Sequence, residues 1–93
     1  MAQRVVWSPR AVADVEAIAS YIASDSPSYA NAVVRRVVTL TRTLSEFPLS
    51  GRRVPEFDDD SVRELIAYSY RIIYLVQPTE VLVTVVWRLP PPK

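Results

Sequence analysis

The chain contains no cysteine and no histidine. It can therefore form no disulfide, no thiolate nucleophile and no ordinary zinc site, and it lacks the side chain that usually serves as a general base near neutral pH. Lysine is nearly missing as well, since ten of the eleven basic residues are arginine and Lys93 is the exception. Arginine suits bidentate recognition of carboxylate or phosphate, and a GC-rich genome produces the same bias. No apolar run reaches the ~18 residues of a membrane-spanning helix, and the N-terminus alternates as a strand does instead of presenting a signal peptide's apolar stretch. A soluble, cytoplasmic protein is expected. A net charge of +1 is too small for nonspecific nucleic-acid binding by bulk electrostatics.

What is present is an apolar content of 49% in 93 residues. That is enough for one compact domain over residues 1–93, with little surplus stability for an enclosed active site. Residues 3–7 are rich in β-branched and aromatic side chains and predict a first strand. Ser8-Pro9 is a helix start, with the hydroxyl capping free N–H groups and proline placed where no hydrogen bond is lost. Ala11, Val12, Val15, Ile18, Ala19 and Ile22 then recur at helical spacing. The same punctuation at Ser26-Pro27 opens a longer helix marked by Ala30, Val33, Val34, Val37, Val38, Leu40, Leu44 and Phe47, with Pro48 as its stop. Residues 48–61, with the only glycine (Gly51) and the run Asp58-Asp59-Asp60, read as a surface loop. Residues 62–68, 70–76 and 81–87 predict three strands in an antiparallel meander. The tail 89–93, with its three prolines, cannot continue a ladder. The expected class is α+β: an N-terminal strand, then an antiparallel two-helix hairpin packed on one face of a mainly antiparallel sheet completed by the meander.

The ordered strings WSPRAVADVEAIASYIASDSP, FPLSGRRVPEF and VRELIAYSYRIIYLV resemble the pattern of RelE/ParE-type toxins over essentially the whole chain up to Trp87. The resemblance implies a RelE/ParE-like fold and a small toxin encoded beside an antitoxin whose C-terminal segment wraps and silences it. A ParD-like antitoxin is the expected partner, with Val37 and Leu44 on the second helix, Arg52 in the loop that follows and Arg71 on a strand as its contact candidates. RelE-like members resemble ribosome-dependent mRNA endonucleases, whereas ParE-like members resemble inhibitors of DNA gyrase that perform no chemistry themselves.

RNA cleavage through the 2′-hydroxyl needs a base, a cation at the phosphorane and an acid for the leaving oxygen. Arg71, in the string YRIIY, aligns with the family's phosphate-facing arginine, so it is the catalytic candidate if the chain is a nuclease. The rest of that set is missing. The stretch Trp87-Arg88-Leu89-Pro90 stands where the family often has histidine, glycine and basic residues, and none of Tyr21, Tyr29, Tyr68, Tyr70 and Tyr74 is C-terminal. A gyrase-binding toxin is therefore the leading reading, with the mRNA endonuclease and a non-toxic, antitoxin-binding relic as alternatives. The target-binding candidates are Arg63, Arg71, Trp87 and Arg88.

Each candidate also has a structural reading. Arg71 forms an ordinary cross-strand salt bridge with Glu64. Trp87 closes the core against Trp7 or a helix, or else anchors a partner as indoles do in binding hot spots. Gly51-Arg52-Arg53 is a solvated turn ahead of acidic residues. The three aspartates lack the ligand spacing of a calcium loop, and neither metal nor cofactor is expected. Arg63 and Arg71 share a sheet face if the turn at Tyr68 has three residues, and lie on opposite faces if it has two.

Overall fold

The computed structural model describes residues 2–89. Strand β1 (Arg4–Trp7) ends at Ser8, whose Oγ accepts from the Ala11 N–H at 3.0 Å and caps helix α1 (Pro9–Ala23). Ser26 repeats the device for α2 (Pro27–Thr43), accepting from the Tyr29 N–H at 3.2 Å. Both prolines sit in the first helical turn, where a missing N–H costs nothing.

The second helix stops earlier than its apolar spacing predicts. Leu44 and Ser45 bond back to Thr41 and Arg42 in a tightened final turn, and Ser45 is tied to the start of the chain: the Gln3 N–H donates to its carbonyl at 2.8 Å and its Oγ donates to the Gln3 carbonyl at 2.7 Å. Phe47 is thereby carried off the helix into solvent.

The sheet is completed by β2 (Arg52–Arg53), β3 (Val62–Ala67), β4 (Tyr70–Val76) and β5 (Glu80–Arg88) in the order β1-β5-β4-β3-β2, antiparallel except for the parallel β1–β5 pair. The expected meander is β3-β4-β5. Strand β2 was hidden in the segment read as a loop. What fixes it is Gly51: its N–H donates to the Tyr74 hydroxyl at 2.9 Å, and a Cβ there would strike the Glu64 carbonyl oxygen. The tail expected to leave the ladder falls mostly outside the described residues, although the Leu89 N–H still donates to the Ser69 carbonyl at 2.6 Å.

Both helices cover one face of the sheet, α1 over β5 and α2 over β3. Ala11 and Ile22 of α1, Ala30, Val33 and Val37 of α2 and the adjoining Leu44 meet Ile72, Tyr74, Val81, Val83 and Val86 there. Val12, assigned to the buried stripe by spacing, is instead 44% exposed. Val37 and Leu44 are 2% and 0% exposed. Their apolar side chains hold the helices to the sheet and are not available as the antitoxin-facing surface expected of them. No helix among the described residues is long and apolar enough to cross a membrane.

Two local features decide what the uncovered face displays. The β3–β4 turn has two residues, Tyr68 and Ser69, with Tyr68 in the left-handed region at φ 53° and Ile66 paired with Arg71. Arg63 and Arg71 therefore lie on opposite faces. Between β4 and β5 the register passes from Ile73↔Val85 to Tyr74↔Val83, so Thr84 is an extra residue, a β-bulge. Ser8 holds it, the Oγ donating to the Thr84 carbonyl at 2.7 Å and the N–H to the Val83 carbonyl at 2.9 Å. The bulge reverses the alternation of β5, sending Val86 into the core and Trp87 to the open face.

Candidate functional site: an arginine–carboxylate network on the open sheet face

Residues that alternate away from the helices put Arg52, Glu64, Arg71 and Trp87 side by side, through the pairs Arg52↔Glu64, Ile66↔Arg71 and Arg71↔Trp87. At the centre is Glu64, whose side chain is 0% exposed. A carboxylate this deep must be compensated, and it is: Arg52 Nε bonds one oxygen and Arg71 Nε donates to the other at 2.7 Å. The remaining edge of Arg71 is also filled, Nη1 and Nη2 donating to the two oxygens of Glu56 at 2.8 and 3.1 Å. Glu56 stands on the segment that follows β2, and its side chain is 57% exposed.

The electrostatics follow from this geometry. Its hydrogen bonds to Glu56, and then to Glu64, raise the already high pKa of Arg71 against the opposing effect of burial. In return the hydrogen bond from Arg71 holds the Glu56 carboxyl below its ordinary value. The cross-strand salt bridge read from the sequence for Arg71 is present, and Glu56 is its unforeseen extension. Nothing in the strand pattern pointed to Glu56, because a loop residue has no register.

The other predicted residues are dispersed. Arg63, on the helix-side alternation, donates to the backbone carbonyls of Asp60 at 2.8 Å and Gly51 at 3.1 Å, so it ties down the loop that leads into β3. Arg53 pairs with Asp58 at 2.9 Å and Asp60 at 3.1 Å, while Asp59 accepts from the Ser61 hydroxyl at 2.6 Å, which lowers its pKa. The basic and acidic runs are thus folded onto each other, and Arg52-Arg53 is a strand, not a solvated turn. Trp87 is 44% exposed on the open face beside Arg71. The bulge rules out the packing of Trp87 against Trp7, which points to the helices.

Arg88 lies elsewhere, in a cleft of about 230 Å³ between the helical turn and the β3–β4 turn, with Tyr21, Asp25, Tyr29 and Tyr70. Beside it Tyr29 meets Tyr68 edge-to-face at 5.8 Å. Of the two strand tyrosines, Tyr74 is buried on the helix side, where burial pushes its pKa up, and Tyr70 is buried in the same core. Neither shares a face with Arg71.

The comparisons with known proteins agree with this architecture. Residues 5–88 match the family described as ParE toxin of type II toxin-antitoxin system, parDE. The chain is 40% identical to Toxin RelE2 of Caulobacter vibrioides over 77 residues, covering 82% of each chain. It is also 40% identical to Putative toxin Y4kP of Sinorhizobium fredii over 50 residues, a match that spans 54% of this chain and 52% of that relative. A solved structure titled Chromosomal ParDE TA system from P. aeruginosa shares the fold, with a TM-score of 0.77 at 22% identity over 95% of this chain and 97% of that one. On the extent of these matches, with the helical hairpin and the mixed five-stranded sheet in place, the chain belongs to the ParE toxin family of type II toxin–antitoxin systems.

Proposed function

We propose that this protein acts by binding DNA gyrase rather than by cutting RNA, and that a cognate, ParD-like antitoxin neutralises it by covering the open sheet face. The observation that carries the reading is the carboxylate-paired guanidinium of Arg71, the one residue that matches a phosphate-facing position. Its Nε and both Nη atoms are engaged by Glu64 and Glu56, and no tyrosine shares its face. Glu56 is a poor substitute base, since the same arginine holds its proton affinity down.

Arg52, Arg71 and the exposed Trp87 are the residues assigned to antitoxin contact, where apolar burial and arginine–carboxylate pairing act together. Trp87 and Arg88 are assigned to the target, because exposed indole and guanidinium groups supply most binding hot spots. The reading is tested by adding purified protein to a gyrase supercoiling assay. Inhibition at micromolar concentration, relieved by an equimolar amount of antitoxin, is expected; untouched supercoiling contradicts it.

A second reading, the ribosome-dependent endonuclease, is favoured by the similarity to a protein named Toxin RelE2. It requires transcript cleavage on induction that disappears in Arg71→Ala.

A further inference from the structure

We propose that the outer edge of Arg71 is a receiving site for a carboxylate of the antitoxin, which the unbound chain fills with its own Glu56. The inference rests on the antitoxin reading above and adds the chemistry of the contact. A guanidinium edge matches a carboxylate two bonds to two oxygens, and here such a pair is already made, at 2.8 and 3.1 Å. The receiver is rigid and its present occupant is not equally fixed. Glu64, with no exposed side-chain surface, clamps Arg71 from the inner side, and the Arg71 side chain is only 13% exposed. Glu56 reaches in from a loop and is more than half exposed, and an ion pair so placed contributes little stability.

Exchange of Glu56 for another carboxylate leaves the charge of the network unchanged, with Arg52 and Arg71 facing two carboxylates before and after. The incoming segment gains what Glu56 does not provide, cover for the neighbouring Trp87 and for Ile66, which are both 44% exposed. A polyanion is less suited to the site, because the loop that carries Glu56 continues into Asp58, Asp59 and Asp60. Glu56 thus acts as a weak internal competitor that must leave before the partner's acid can bind.

The test is calorimetric titration of the purified chain with the antitoxin encoded beside it, using wild type, Glu56→Ala, Asp58→Ala and Arg71→Lys with and without Glu56→Ala, each checked for folding by circular dichroism. Removing the competitor is expected to tighten binding about fivefold, the scale of a half-exposed ion pair. Asp58→Ala, with the same charge change in the same loop, leaves affinity unchanged, and the gain vanishes in the Arg71→Lys background. Equal affinity of wild type and Glu56→Ala overturns the proposal. So does an equal gain from Asp58→Ala, which marks bulk charge, or a gain of affinity for a single-stranded RNA oligonucleotide in place of the antitoxin. Failure of the wild type to bind the antitoxin at all defeats the antitoxin reading itself, and this inference with it.

Discussion

Glu64 and Glu56 both bond Arg71, yet they should behave very differently when removed. Glu64 has no exposed side-chain surface and balances two arginines. Glu64→Gln leaves a partly buried guanidinium short of its counter-charge, which by analogy with broken buried pairs destabilises by about 3 kcal/mol. Glu56→Gln disturbs only an exposed partner, and a much smaller loss is expected; urea unfolding of the two variants measures the contrast. Glu56 also has a pH signature. Because Arg71 lowers the Glu56 pKa in the folded chain, the stability it contributes is fully present above the ordinary carboxyl value near 4.5 and is lost as pH falls through the depressed folded value. The stability gap between wild type and Glu56→Gln should therefore be constant near neutrality and close in acid. A gap that widens on acidification contradicts the assignment. Gly51 is the third residue with a sharp expectation, since an added Cβ meets the backbone oxygen of Glu64 and lies 2.6 Å from the Tyr74 hydroxyl. Gly51→Ala should cost about 2 kcal/mol, of the order of other overpacking changes, and release β2 from the sheet edge, read as faster amide exchange at Val54, whose N–H donates to Val62.

Among the elements, β5 and the start of α1 form one unit. Ser8 caps the helix and holds the Thr84 bulge, and Asp14, six residues further along, accepts from the Val86 N–H at 3.0 Å where β1 has ended and no strand is left to pair with it. Asp14→Ala should destabilise by about 1–2 kcal/mol, the range for an orphaned backbone donor. Arg10→Ala, which removes only the exposed partner of Asp14, should change stability by less than about 0.5 kcal/mol; thermal unfolding of the pair checks this. The helices, the meander and the uncovered sheet face were legible in the sequence because Ser-Pro starts and apolar periodicity are local signals. The bulge was not, because it is made by a serine 76 positions away. It is also what decides Trp87: unbroken alternation from Val81 and Val83 places the indole in the core, and one extra residue turns it outward. For the same reason the turn at Tyr68 had two admissible lengths in the sequence, and only the register put Arg63 and Arg71 on opposite faces. Val37 and Leu44 fail as contacts by the reverse logic, since their spacing marked the side of α2 that the sheet already occupies.

At the scale of the molecule, one sheet face is covered by the helical hairpin and the other carries a charge-balanced arginine–carboxylate network beside an exposed tryptophan. That asymmetry suits a protein recognised by other proteins, with arginine serving to pair carboxylates more than to attract a polyanion. The two proposed surfaces share Trp87 and should separate at Arg88. Trp87→Ala is expected to weaken both antitoxin and target binding, whereas Arg88→Glu, in the tyrosine-lined cleft, should reduce toxicity at least tenfold, a typical hot-spot loss, with antitoxin affinity retained; growth assays beside calorimetry read the two effects. The most direct measurement of the central claim assays one preparation of the purified protein for inhibition of gyrase supercoiling and for cleavage of ribosome-bound mRNA. Gyrase inhibition without transcript cleavage is the predicted result. Cleavage that requires Arg71, with supercoiling untouched, contradicts it.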